Sequence, residues 1–358
     1  MKLLFALSGF HRVHRGAEVA LLSVARELGK SGISVTVAGG GKPEPDCPYE
    51  FVEVPVLDRL RFEKMPAVPG LRNAEAWEDL SFAARLAKRL GDRTFDAAIT
   101  CAYPFTNWRL RQRREQVGAN IFVTQNGDWP AFSKKGEFRF FECDGLICTN
   151  PDYFERNCGR YDSALIPNGL KLGSFTDIHG DVSRYGLDPE LPVVLMVSAL
   201  IESKRVEEGL RAVAAAKGFQ LLLAGDGPLR GLIDPLGEQL LGSRYKRLTV
   251  SAAEMPALYA SADAFLHMSK VESFGNVFVE ALASGLPVVA HDLERTRWIV
   301  GDGEFLCDTD SHYALVAALS RAVAHGRGAQ PASVQRFDWS IIAGQYLEFI
   351  ESVIGKRR

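Results

Sequence analysis

Ser269-Lys-Val-Glu272-Ser-Phe-Gly275-Asn-Val-Phe-Val-Glu280-Ala-Leu-Ala-Ser-Gly285-Leu-Pro287-Val-Val289 is the stretch from which the rest of this chain can be read. Glu272 falls in a loop after the strand expected at Ala264–His267. Gly275 opens a helix over Asn276–Ala283, and Gly285 closes it before a strand over Val288–Ala290. Strand, loop, helix and strand in that order are one unit of an open parallel sheet. The helix start presents unpaired N–H groups and a partial positive charge, which suits a phosphate. At ~1.5 Å per residue, Glu280 sits several ångströms inside the helix, while Glu272 lies beyond its start. Two carboxylates so placed can grip hydroxyls on either side of a diphosphate, a ribose at one end and a second sugar at the other.

The same alternation runs outward in both directions. Toward the N-terminus, strands are expected at Leu3–Leu7, Ile33–Ala38, Phe95–Cys101, Ile121–Thr124 and Gly145–Cys148. Helices are expected over Glu18–Leu28, ended by Gly29, and over Ala74–Leu90. The pattern is interrupted by Pro167, Gly169, Gly173, Gly180 and Gly186, then restarts with strands at Val193–Ser198 and Phe219–Ala224 and helices at Val206–Ala216 and Met255–Ala260. From Phe337 onward Trp339, Ile342, Tyr346, Phe349 and Ile350 form one apolar helix face. A single core stops growing near ~250–300 residues, so 358 residues in two α/β series predict two domains.

Composition narrows the class. Hydrophobic residues are 47% and charged residues 24%, ordinary for a globular protein. A net charge of -2 carries no basic excess and argues against a nucleic-acid partner. The six cysteines form no CxxC and stand beside no histidine at zinc-ligand spacing, so reduced thiols, a cytoplasmic location and no metal site are expected. The apolar run Leu3–Leu7 is too short for a signal peptide and reads as a first buried strand. Arg109, Arg111, Arg113 and Arg114, beside Trp108, are either a solvated helix face or a patch for an anionic acceptor or a peripheral membrane contact on the cytoplasmic face. His11 and His14 fall in the first loop, where surface and substrate-facing roles both stand open. Asp308-Thr-Asp310 reads as a turn.

The segment from Glu272 to Val289 resembles the E-x7-E motif of retaining glycosyltransferases of the GT-B fold, the fourth family, also called glycosyl transferases group 1. Further similarities run along the chain: Arg15-Gly16-Ala17-Glu18, Ile166-Pro-Asn168-Gly169, Val197-Ser-Ala199-Leu200 with Lys204-Arg205, Ala224-Gly225-Asp226-Gly-Pro228, and Phe337-Asp-Trp339-Ser340. The resemblance implies an α/β, GT-B architecture, two Rossmann-like domains facing each other across a cleft. Their expected spans are 1–172 for the acceptor-side domain and 173–340 for the donor domain. The helix over 341–358 would cross back to the first domain.

What the resemblance implies for function is transfer of a hexose-type sugar from a UDP- or GDP-linked donor to a hydroxyl acceptor, such as a lipid-linked glycan, a polysaccharide or a small glycoside. It places catalytic roles on Glu272, Lys204 and Arg205. Donor binding falls to Arg15, Gly16, Gly225, Ser273, Phe274, Gly275, Asn276, Val277 and Glu280, with Glu272 toward the sugar and Glu280 toward the ribose. His14, Gln125 and Asp128 are the acceptor-side candidates, Asn126-Gly127-Asp128 being equally a turn. No cofactor and no divalent metal are expected, because basic residues and a helix terminus are available for the diphosphate. Three departures stand out. Ala199 replaces the family's arginine, with Arg205 the candidate substitute, Arg15 replaces a glycine, and His291–Arg297 carries none of the usual donor-sugar residues. The alternative chemistry on the same fold is a sugar-nucleotide 2-epimerase.

Overall fold

The computed structural model describes residues 1–357 apart from 59, 60, 63, 64, 72, 126, 128, 133–135 and 302–304. The chain divides into two compact units, Met1–Gly169 with Trp339–Arg358, and Leu170–Asp338.

The first unit contains β1 (Lys2–Ala6), α1 (Gly16–Lys30), β2 (Ser34–Gly39), β3 (Glu50–Glu53), α2 (Ala74–Leu90), β4 (Ala97–Cys101), α3 (Pro104–Arg111) and α4 (Arg114–Val117). It continues through β5 (Ala119–Val123), β6 (Gly145–Cys148), α5 (Pro151–Asn157) and β7 (Ser163–Leu165). All seven strands are parallel in the order β3-β2-β1-β4-β5-β6-β7. Central strands are buried on both faces, which is why β1 after Lys2 and β4 apart from Thr100 read as apolar runs.

The second unit repeats the plan with β8 (Val193–Val197), α6 (Val206–Ala215), β9 (Gln220–Ala224), α7 (Arg230–Leu241), β10 (Tyr245–Leu248), α8 (Met255–Ala260) and β11 (Ala264–His267). Then follow α9 (Asn276–Ala283), β12 (Val288–His291), α10 (Glu294–Val300), β13 (Phe305–Cys307) and α11 (His312–His325). Its parallel order is β10-β9-β8-β11-β12-β13. Numbered within each unit, both sheets begin 3-2-1-4-5-6, the doubly wound order with its switch point between the first and fourth strands.

The last helix, α12 (Trp339–Arg357), belongs to the first unit. Its buried Ile342, Ala343, Tyr346, Ile350 and Val353 join the core of Leu3, Phe5, Leu21, Val24 and Ile121. The chain leaves and re-enters the second unit at one place, where the Leu170 N–H donates to the Phe337 carbonyl at 2.7 Å.

One reading needs correction. Gly29 does not end α1, which runs on to Lys30, and the left-handed residue beyond it is Gly32, at φ 85°. Gly29 is needed inside the helix because a Cβ there would lie 2.1 Å from the Pro48 carbonyl oxygen. Among the described residues no helix is long and apolar enough to cross a membrane.

Candidate functional site

Ligands of open α/β sheets gather beyond the carboxyl ends of the strands at the switch point. In the second unit those strands are β8 and β11, paired through Ala264 with Val194 and Phe265 with Leu195. The loop leaving β8 carries Lys204, and the loop leaving β11 carries Glu272.

The two side chains meet. Lys204 Nζ donates to Glu272 Oε1, and His267 Nε2 lies 2.9 Å from the same oxygen. His267 is the last residue of β11, its side chain only 4% exposed and set edge-on against Phe278. Burial alone would raise the Glu272 carboxyl, but the bonds and charges from His267 and Lys204 outweigh it and hold the pKa down at about 2. Glu272 is therefore ionised and oriented at any physiological pH.

α9 begins at once after this loop. Gly275 enters it at φ 99° and ψ 59°, a left-handed geometry suited to glycine, and a Cβ there would meet the Phe278 ring at 2.7 Å. Phe274 is buried against Trp298 and Phe337, so its side chain anchors the loop and only its backbone is free to face a ligand. Ser273, Asn276 and Val277 are partly exposed around the helix start.

Glu280 sits a turn further on. It is bonded to the buried Tyr259, and its Oε2 is buried with no hydrogen-bond partner. Burial raises its pKa. An orphaned acceptor of this kind is costly unless a donor arrives, and a ribose hydroxyl is such a donor.

Arg205 follows a separate course. Its backbone is left-handed, at φ 52° and ψ 39°, which costs a non-glycine residue roughly 1–2 kcal/mol. The guanidinium is bonded to Thr309 Oγ1 at 3.0 Å and Asp310 at 2.8 Å, and Asp310 also accepts from Lys270. The Asp308-Thr-Asp310 segment is thus a turn that neutralises basic side chains, not a free carboxylate pair. Arg205 is therefore not grouped with Lys204 and Glu272, although it adjoins Lys204 in sequence. Gly225, at φ 150°, lets the loops after β8 and β9 close on each other, since a Cβ would lie 1.8 Å from the Ser198 carbonyl oxygen.

In the first unit, Arg15 caps α1 and is exposed together with His14 and Gly16. Gln125 is buried in a reciprocal amide pair with Asn168, at 2.6 and 3.1 Å, and is also bonded to the buried Tyr346. Both ends of its amide are engaged inside the unit, so it acts there as a structural tie. Asp128 lies outside the described residues. His267 was missed in the sequence reading, and the one signal for it is a polar residue ending an otherwise apolar strand.

The fold and this edge define a GT-B protein with two Rossmann-like units. Residues 181–332, within the second unit, match the model of the family described as glycosyl transferases group 1. The phosphatidyl-myo-inositol mannosyltransferase of Mycobacterium leprae is 36% identical over 209 residues, 54% of this chain and 54% of the relative. The lipopolysaccharide core biosynthesis glycosyltransferase LpsE of Rhizobium meliloti is 29% identical over 185 residues, 51% and 53% of the two chains. The chain spans about half the length of the curated relatives it matches. A sucrose-phosphate synthase from Thermosynechococcus elongatus shares the fold over 99% of both chains, with TM-score 0.76 and 19% identity. An Anabaena protein solved in complex with UDP-glucose covers 98% of this chain and 100% of its own, with TM-score 0.71 and 18% identity.

Proposed function

We propose that the chain is a retaining glycosyltransferase moving a hexose-type sugar from a UDP- or GDP-linked donor to a hydroxyl acceptor. The observation that carries this reading is Glu272, held ionised between Lys204 and His267 at the switch point, one turn ahead of a helix start. Support for a nucleotide-sugar comes from relatives named GDP-mannose-dependent alpha-mannosyltransferase and from the neighbour solved with UDP-glucose.

In this reading the α9 N-terminus receives the diphosphate, Glu280 Oε2 accepts from the ribose, and Glu272 faces the transferred sugar. Lys204 stabilises the negative charge that develops on the leaving diphosphate. The acceptor oxygen bonds to the sugar carbon on the face from which the phosphate leaves, and the departing phosphate oxygen takes the acceptor proton. Arg205 joins only when its bonds to Thr309 and Asp310 open. No divalent metal is needed, so activity should persist in excess chelator. Loss of activity restored by magnesium or manganese would refute that.

A thermal-shift panel of UDP-, GDP- and ADP-sugars tests the donor class, because preferential binding to the native state raises the melting point. A rise with none of them would overturn the proposal. An epimerised nucleotide-sugar formed from donor alone would identify the 2-epimerase instead.

A peripheral surface contact is the companion proposal for the first unit. An open cavity of about 860 Å³ is lined there by Trp108, Arg111, Arg114, Arg139, Phe140 and Arg160, among others. Arg111 and Arg114 pair with Glu142 and Asp144, whereas Arg139 and Arg160 lie over the rings of Phe140 and Tyr161. Phe140 is 75% exposed. Basic side chains around exposed aromatics suit an anionic membrane surface. Co-sedimentation with vesicles containing anionic lipid, but not with neutral ones, is expected. Equal binding to both, or binding to neither, would remove the idea.

A further inference from the structure

His11 lies far in sequence from Glu44 and Cys47, and the three meet in the first unit. A ring nitrogen of His11, a carboxylate oxygen of Glu44 and the Cys47 sulfur all fall within 4.8 Å of one another. The spacing 11, 44 and 47 has none of the regularity by which zinc ligands are read from sequence, so composition alone does not reveal the group.

We infer that these three side chains form a binding site for one thiophilic divalent cation of the zinc class, joining the loop after β1 to the loop after β2. Nitrogen, sulfur and carboxylate oxygen together are a borderline-soft donor set that zinc takes in tetrahedral geometry, with water in the fourth position. Bond lengths of about 2.0–2.3 Å put tetrahedral donors about 3.3–3.8 Å apart, so the group must contract by about 1 Å. Two of its members can supply that movement. Glu44 is 45% exposed and held by a surface ion pair with Arg26 at 3.2 Å, while Cys47 is half-buried in the same loop.

The third member is already fixed. The His11 side chain is fully buried, stacked on Phe51 at 4.2 Å, on a backbone held at φ 55°. Its Nδ1 lies 2.8 Å from the Lys42 carbonyl and its Nε2 lies 2.8 Å from the Tyr49 hydroxyl. Whichever nitrogen takes the metal, the other already has the oxygen partner that metal-bound histidines require to hold their orientation. The close approach of the two loops at this point is independent of the cation. A Cβ on Gly41 would lie 2.0 Å from the His11 carbonyl oxygen.

Cobalt(II) is the probe, because a thiolate bound to it gives a near-ultraviolet charge-transfer band. Titrated into the full chain under non-thiol reductant, it should give that band at one equivalent, and zinc should abolish it by displacement. Cys47→Ser should remove the band, Glu44→Gln should weaken cobalt binding at least about tenfold, and Cys158→Ser, at the exposed cysteine, should change nothing. Zinc should raise the melting temperature of the wild type and not of Cys47→Ser. A wild type without the band overturns the inference. So does a band that survives Cys47→Ser.

Discussion

The two sheets share one strand order but use their carboxyl edges differently. In the second unit the loops after β8 and β11 leave polar groups poised for something outside. Glu272 is ionised and oriented by two basic partners, and Glu280 keeps one buried oxygen without a donor. In the first unit the comparable groups close on the unit itself. Gln125 is matched to Asn168, Ser8 donates to Glu78 at 2.8 Å, and His11 is held by Lys42 and Tyr49. One architecture can therefore carry an outward-facing edge or an inward-facing one, and side-chain pairing decides which. The family match, confined to 181–332, falls on the unit with the outward-facing groups.

The largest effect should come from the group that this comparison makes most distinctive. Glu272→Ala is expected to lower transfer by about two orders of magnitude or more, the loss of one transition-state contact. Affinity for the free nucleoside diphosphate, which lacks the sugar, should stay nearly intact. Glu280→Ala comes next. It should weaken nucleoside diphosphate and donor alike by roughly tenfold to a hundredfold, chiefly in KM, as loss of uniform binding does. Calorimetry and initial rates on both variants decide the matter. If Glu272→Ala abolishes diphosphate binding while Glu280→Ala leaves it unchanged, the two ends are assigned backwards.

A buried carboxyl in the first unit gives the opposite electrostatic case. Asp79 is a buried residue of α2 and accepts from Thr106 and from the Phe105 N–H, both in α3. Those donors carry no charge, so burial wins and raises its pKa to about 7. A pKa raised in the folded state means stability present below the unfolded value near 4 and lost as pH climbs through 7. The expected slope is a fall of about 1.4 kcal/mol per pH unit across that window, on top of the other titrations. Asp79→Asn should flatten it. Denaturant melts of both proteins from pH 4.5 to 8 check this, and equal slopes would mean that Asp79 ionises freely.

Much of this was legible in the sequence, for physical reasons that differ by region. α2, α9, β6, β11 and α8 have the spans expected from their apolar spacing, because each is buried on the face its pattern marks. The edge strands were not legible. β10 reads Tyr-Lys-Arg-Leu, and β3, β7 and β13 have three or four residues each, too little for a period to show. In the site, Glu272 and Glu280 could be found because the residues around them build a recognisable loop and helix. His267 could not, since its role depends on a carboxylate that the next loop folds back onto it. The adjacency of Lys204 and Arg205 was misleading for a related reason. A left-handed residue turns the second away from the first, and sequence does not display φ.

The smallest expected effect tests the inward-facing half of the comparison. Gln125 is an acceptor-side candidate on the family resemblance, and in the structure it follows β5 of the first sheet. The structure gives its amide two partners from distant parts of the chain, Asn168 where the first unit ends and Tyr346 in α12. Gln125→Ala removes one partner from each and leaves a small void. Buried polar groups deprived of a partner cost about 1–3 kcal/mol, so the expected outcome is a melting temperature lowered by several degrees. Transfer per folded molecule, measured well below that temperature, should change by less than about twofold. The two readings separate cleanly here: an acceptor contact would raise the acceptor KM while leaving the melting temperature in place. That result would return Gln125 to the acceptor side and show that the first unit's edge, too, faces outward.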